Sequence, residues 1–110
     1  MAGWYQLSRN ADEQFHFVLK AGNAETILTS ETYKSHASAV NGIESVQKNA
    51  ADASRYEKKL STNGKAYFTL KAANHQVIGS SEMYSTEAAR DKGIASVQAN
   101  ATTTTIKDGT

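Results

Sequence analysis

Three histidines, His16, His36 and His75, are the side chains of this chain best suited by type to move a proton or hold a metal near neutral pH. No two of them have the spacing of metal ligands, and no HExxH, GxSxG or phosphate-binding glycine loop occurs. The absence of cysteine removes thiolate zinc sites and cysteine nucleophiles. With no nucleophile matched to a base, no catalytic residue, metal or cofactor is assigned, and a non-enzyme is expected. A second set of residues could bind rather than react. Trp4, His16, Lys20, Tyr67 and Lys71 mix aromatic rings with basic groups. Such rings stack on exposed bases or pack on a partner, and lysines hold phosphates or carboxylates. Whether they act together depends on the elements that carry them.

The chain has 110 residues, of which 12 are basic and 11 acidic, the make-up of one ordinary domain. A net charge of +1 is too balanced for a dedicated duplex-DNA binder. The start, MAGWYQLSRN, has neither the basic nor the long apolar region of a secretory signal. No apolar run approaches the ~20 residues of a membrane span. A cytoplasmic protein with no membrane partner is therefore expected.

LKAGNAETILTSETY, from Leu19 to Tyr33, recurs as LKAANHQVIGSSEMY from Leu70 to Tyr84. A shift of 51 residues aligns Trp4–Ala50 with Arg55–Ala101 without a gap, so the chain is a duplication. About 50 residues bury too little apolar surface to offset their chain entropy, whereas two copies can share one core. Two units are also too few for a solenoid, which points to a closed, pseudo-symmetric pair. The expected organisation is a single domain over 1–110, with repeats at about 4–50 and 55–101 and a strand-like tail at 102–107.

Within the first copy, WYQLS and QFHFVLKA flank the polar RNADE, and Phe15, Phe17 and Leu19 alternate with Gln14, His16, Val18 and Lys20. Period two predicts strands, with a third and shorter one around Ile27 after the AGN turn. Beyond Tyr33 the spacing of Ala39, Ile43, Val46 and Ala50 predicts a helix capped by Ser35. The second copy repeats this through RYEKK, AYFTLKA and QVIGSS to a helix capped by Thr86. Each copy is thus β-β-β-α. TTTTI has strand chemistry, and the final KDGT is expected to fray.

Most residues shared by the copies read as scaffold. Asn23 and Asn74 suit tight turns, where asparagine tolerates the left-handed region, and Asn49 and Asn100 suit helix C-caps. Glycine inside a helix costs ~1 kcal/mol against alanine, so Gly42 and Gly93 predict a close approach of the helix backbone to its support. Tyr33 and Tyr84 are expected to pack under the helix entrances. Lys20 and Lys71 could pair with Glu31 and Glu82. None of the histidines is repeated: Tyr67, Glu87 and Ala24 stand at the matching places.

The paired LKA-x-N, SE-x-Y and GI-x-SVQ-x-NA segments resemble the YegP-like family of small bacterial proteins, in its duplicated form, over essentially the whole chain. The resemblance implies an α+β fold in which two tandem β3-α repeats form one pseudo-symmetric antiparallel sheet with two helices. It also implies that the strand after each helix is exchanged between the repeats. It supplies no catalytic or binding residues.

If both helices cover one face, the other is left to water or a partner. The alternation puts His16 and Lys20 of the first copy and Tyr67 and Lys71 of the second on that open face, and Trp4 joins them if the first strand keeps the same phase. The expected function is a small non-enzymatic binding or protein-interaction module, monomeric, with an unidentified macromolecular partner. A weak single-stranded nucleic-acid binder is the alternative, and an enzyme is the third reading.

Overall fold

The computed structural model describes residues 3–110; Met1 and Ala2, the first two residues of MAGWYQLSRN, lie outside the described residues. Seven strands and two helices follow in the order β1 (Trp4–Arg9), β2 (Phe15–Lys20), β3 (Thr26–Ser30), α1 (His36–Asn49), β4 (Tyr56–Leu60), β5 (Ala66–Lys71), β6 (Val77–Ser80), α2 (Glu87–Asn100) and β7 (Ile106–Asp108). Period two does what the sequence predicts. Tyr5 and Leu7, Phe17 and Leu19, and Phe68 and Leu70 are fully buried on one side of their strands. Ile43, Val46 and Val97 of the helices close on them in a single core. Ser35 and Thr86 cap the helices, accepting from the backbone N–H groups of Ser38 and Ala89.

All strands lie in one sheet, ordered β4-β5-β6-β3-β2-β1-β7. The copies join where β3 meets β6 antiparallel, and Thr29 pairs there with its own counterpart, Ser80 (80 − 29 = 51). That pairing marks a pseudo-twofold axis. Both helices pack on the buried side, α1 against β2, β5 and β6 and α2 against β5, β3 and β2. The strand after each helix joins the other copy, β4 pairing with β5 and β7 with β1, and a tyrosine ties the first strand of each copy to the helix of the other. Tyr56 of β4 donates its hydroxyl to the Ala50 carbonyl at the end of α1 (2.7 Å), and Tyr5 of β1 donates to the Ala101 carbonyl at the end of α2 (2.6 Å). Orphan carbonyls at helix ends need such donors.

The symmetry stops at the C-terminus. After α1 the chain continues into β4. After α2 the matching place is already filled by β1, so the tail runs beside β1 as the parallel strand β7, pairing Ile106 with Tyr5 and Asp108 with Leu7. The sheet is therefore mixed rather than wholly antiparallel. Strand structure begins at Ile106 instead of covering 102–107, and KDGT is not frayed. The Gly109 N–H donates to the Leu7 carbonyl (2.8 Å), and His36 meets Asp108 at 2.8 Å. The Thr110 hydroxyl and backbone N–H, and then His36, hold the Asp108 carboxyl down to about 2.

Two local expectations change. The left-handed conformation in the turns falls on Ala24 (φ 70°) and His75 (φ 67°), one residue after the asparagines. Asn23 and Asn74 instead accept from the backbone N–H groups of Glu25 and Gln76. Asn49 and Asn100 are the last helical residues, donating to the Ser45 and Ser96 carbonyls, while Ala50 and Ala101 occupy the C-cap positions.

Gly42 and Gly93 do mark close approaches, with the repeated tyrosines as the contact. A Cβ on Gly42 would lie 2.4 Å from the Tyr33 hydroxyl and 2.9 Å from the Phe17 ring; on Gly93 it would lie 2.4 Å from the Tyr84 hydroxyl. Phe17 is fully buried and cannot yield, whereas the three nearest atoms at Gly93 all belong to the half-buried Tyr84. Gly42→Ala should therefore destabilise by about 1–2 kcal/mol after the gain in helix propensity, and Gly93→Ala by less. Urea unfolding of both variants checks the order; equal costs would show that Phe17 does not limit the first site.

Burial pushes the Tyr5 and Tyr56 hydroxyls well above the ordinary value of 10.0 for tyrosine. The neutral form is thus favoured by the fold. The stability it contributes is fully present below pH 10.0 and is lost as pH rises past that value. Two of the five tyrosines should ionise only with unfolding, visible as a late step in phenolate absorbance that coincides with loss of circular dichroism. Smooth ionisation of all five in a folded chain would contradict this.

Candidate functional site

With both helices on one side, the side chains alternating with the core residues point to the opposite, open side. One row across its middle reads Glu57, Thr69, Ser80, Thr29, Val18, Gln6 and Lys107, set by the pairings of β4 through β7. Short hydroxyl side chains occupy the centre, near the pseudo-twofold axis. Rings and charges stand toward the outer strands.

The five residues singled out by sequence all come from strands with the expected phase, but they do not gather at one place. Trp4 sits opposite Lys20, and the Lys107 ammonium lies over the Trp4 ring at 4.1 Å from its centroid. His16 is at the other end of β2, opposite Ser8, with its Nε2 3.4 Å from the Ser8 hydroxyl. Tyr67 and Lys71 belong to the second copy, separated from the first group by β6 and β3. Tyr67 faces Lys59 across the β4–β5 pair. The open face therefore carries two ring-and-lysine groups, one on each side of the pseudo-twofold axis, in which only Lys20 and Lys71 hold matching places.

Electrostatics ties down the second group. Glu57 forms ion pairs with Lys71 and, at 3.2 Å, with Lys59. Hydrogen bonds from Lys71 and then Lys59 hold its carboxyl below the ordinary range. Lys71 does not pair with Glu82, and among the described residues Lys20 reaches only the Ala24 carbonyl, at 3.4 Å. Sequence reasoning passed over Lys59, Glu57 and Lys107. The parity of RYEKK shows the first two, since Glu57 and Lys59 are two apart; Lys107 was hidden by reading its segment as frayed. Among the described residues, no group of three or more His, Asp or Glu side chains could hold a metal ion.

Thr69 is an anomaly of this face, as is Trp4, whose Nε1 is also buried with no partner among the described residues. Thr69 is 6% exposed, and its hydroxyl has no hydrogen-bond partner among the described residues. A buried unpaired hydroxyl costs more than it contributes. The first copy has Val18 at the matching place, where the shape is accommodated without a polar atom. Thr69→Val should accordingly leave stability unchanged or raise it by up to ~1 kcal/mol, read as the urea midpoint. A loss greater than ~1 kcal/mol would show that the hydroxyl is bonded in solution.

The family model described as "Domain of unknown function (DUF1508)" matches residues 10–57 and 61–108, two spans set apart by the same 51 residues (61 − 10 = 51). Each span ends on the strand that follows a helix. The chain is 63% identical over 110 residues to UPF0339 protein YegP of Escherichia coli (strain K12), covering 100% of both. It is 62% identical over 108 residues to UPF0339 protein ACIAD0721 of Acinetobacter baylyi, covering 98% of this chain and 97% of that one. The solution NMR structure of yegP from E. coli, described there as a protein of unknown function, superposes with a TM-score of 0.94 at 62% identity over 99% of this chain and 94% of that one. The solution NMR structure of UPF0339 protein SO3888 from Shewanella oneidensis gives a TM-score of 0.92 at 61% identity, over 98% of this chain and 92% of that one.

Proposed function

Because the chain belongs to the bacterial family described as Domain of unknown function (DUF1508), with two copies of its unit, we propose a role that the doubled scaffold can support. It is a small non-enzymatic interaction module whose open sheet face engages a macromolecular partner, protein ahead of single-stranded nucleic acid. The observation that carries this reading is the pair of ring-and-lysine groups, Trp4 with Lys20 and Lys107, and Tyr67 with Lys59 and Lys71.

Charge supports an acidic counterpart. Four lysines, Lys20, Lys59, Lys71 and Lys107, stand on this face against one carboxylate, Glu57, an excess of three (4 − 1 = 3) on a chain whose net charge is only +1. Such a field speeds encounter with an acidic surface. Single-stranded nucleic acid is the second reading, since the same rings can stack bases and the same lysines can hold phosphates. The β3–β6 join satisfies the pairing of copies inside one chain, in keeping with a monomer. A cytoplasmic setting accords with the lack of cysteine, and among the described residues no helix is long and apolar enough to cross a membrane.

A folded Trp4→Ser, Tyr67→Ser, Lys71→Ser variant tests the proposal against wild type in a quantitative pull-down from bacterial lysate. A partner retained by wild type and lost by the variant is the expected result. Equal retention by both would remove the open face from consideration. Titration with oligo(dT) at rising salt separates the two partner classes: nucleic-acid binding must weaken steeply, roughly with the number of phosphates neutralised.

A further inference from the structure

Asparagine followed by glycine occurs twice in the chain, as Asn41–Gly42 and as Asn63–Gly64. In such a pair the glycine nitrogen can close a five-membered ring on the asparagine carboxamide carbon, and glycine has no side chain to block the approach. Both asparagines are exposed, so solvent access does not separate them. The backbone does. Asn41 and Gly42 lie inside α1, where Gly42 is buried under Tyr33 and its N–H belongs to the helical ladder of hydrogen bonds. Ring closure there must wait until α1 opens.

Asn63–Gly64 sits in the turn between β4 and β5. The Gly64 N–H is held by one bond, to the Ser61 carbonyl at 2.9 Å, and a Cβ on Gly64 would meet nothing within 4 Å. The Asn63 carboxamide oxygen accepts from the Ser61 hydroxyl, whose own oxygen accepts from the Lys65 N–H at 3.0 Å. A donor on the carboxamide oxygen stabilises the negative charge that builds there when the carbon beside it is attacked.

We propose that Asn63 is a self-modification site, which in the folded chain loses ammonia through a succinimide formed with Gly64 and takes up water to become an aspartyl or isoaspartyl residue, while Asn41 keeps its amide. The Gly64 nitrogen bonds to the Asn63 Cγ, the Cγ–Nδ2 bond breaks, and the Gly64 amide proton leaves with the ammonia. Water then opens the ring. Opening at Cγ gives the aspartyl residue, and opening at the main-chain carbonyl carbon gives the isoaspartyl link.

The fold accepts the aspartyl product. At an offset of 51 residues Asp12 stands at the place of Asn63 and Glu13 at the place of Gly64, and Glu13 holds the left-handed conformation (φ 61°) that Gly64 holds at φ 81°. The first turn thus already carries the carboxylate that the second acquires. Conversion lowers the net charge from +1 to 0 (1 − 1 = 0) and sets a carboxylate on a hairpin that bears Lys58, Lys59 and Lys65. None of this rests on the reading of the open face.

The test is incubation of the folded chain in mildly alkaline buffer, followed by trypsin and mass spectrometry. Trypsin places the two sites on separate peptides, LSTNGK from Leu60 to Lys65 and SHASAVNGIESVQK from Ser35 to Lys48. The first should convert faster than the second by about tenfold or more, because a turn opens far more often than the middle of a helix. Its two products, equal in mass, should separate by reversed-phase chromatography. In urea the two rates should converge, since α1 no longer protects Asn41. Gly64→Glu, a side chain that the first copy's turn accommodates, should slow the conversion by crowding the nitrogen. Asn63→Ser should remove the acidic variants seen by ion exchange, and Asn41→Ser should leave them. Equal rates at the two sites of the folded chain, faster loss at Asn41, an Asn63 peptide that converts only in urea, or undiminished conversion in Gly64→Glu would overturn the proposal.

Discussion

Two phenol-to-carbonyl bonds organise this molecule. Tyr5 reaches the Ala101 carbonyl across 96 residues of chain, and Tyr56 reaches the Ala50 carbonyl. Each satisfies the end of a helix with a donor from the first strand of the other copy, so that strand is bound to the helix. The hydroxyls are buried and kept neutral, which makes the bonds hard to exchange for water. The order of strands and the single core under both helices are consistent with this closure.

The same closure breaks the symmetry in a useful way. Since β1 already holds the place that a strand following α2 would take, the tail must find another position and becomes β7. β1 is thus covered by β7, whereas its counterpart β4 is left as an end strand. An edge with free backbone groups invites pairing, and natural sheets blunt such edges with charge. Here β4 carries Lys58 and Lys59, with Asp91 and Glu87 beside it, so the bare edge is guarded by charge rather than hidden.

The two faces of the sheet divide the labour. On the covered face Tyr33 and Tyr84 lie so close to Gly42 and Gly93 that a methyl group has no room, which explains helix glycines that are poor by propensity. The recurrent LKA-x-N and SE-x-Y segments serve this packing. On the open face the copies differ: His16 stands against Tyr67, Val18 against Thr69 and Gln6 against Glu57. The scaffold lies where the repeats agree, whereas most residues of the proposed recognition face, Lys20 and Lys71 excepted, lie where they differ.

Local pattern made much of this legible. The period-two runs around Phe17 and Phe68, the three-and-four spacing of Ile43 and Val46, the Ser35 and Thr86 caps and the 51-residue offset each depend on neighbours in the chain, so the sequence by itself determined the elements, their phase and the duplication. Phase also assigned Trp4, His16, Lys20, Tyr67 and Lys71 to one side of the sheet. Their grouping was not legible, because Lys20 lies near Trp4, and Lys71 near Glu57, through pairings that register alone sets. Nor could β7 be seen as a parallel strand, since Ile106–Asp108 is short, exposed and unpatterned until β1 occupies the neighbouring place. Tertiary structure decided that β1 gains a further neighbour and its counterpart β4 does not, because two equivalent segments cannot fill one position in a sheet.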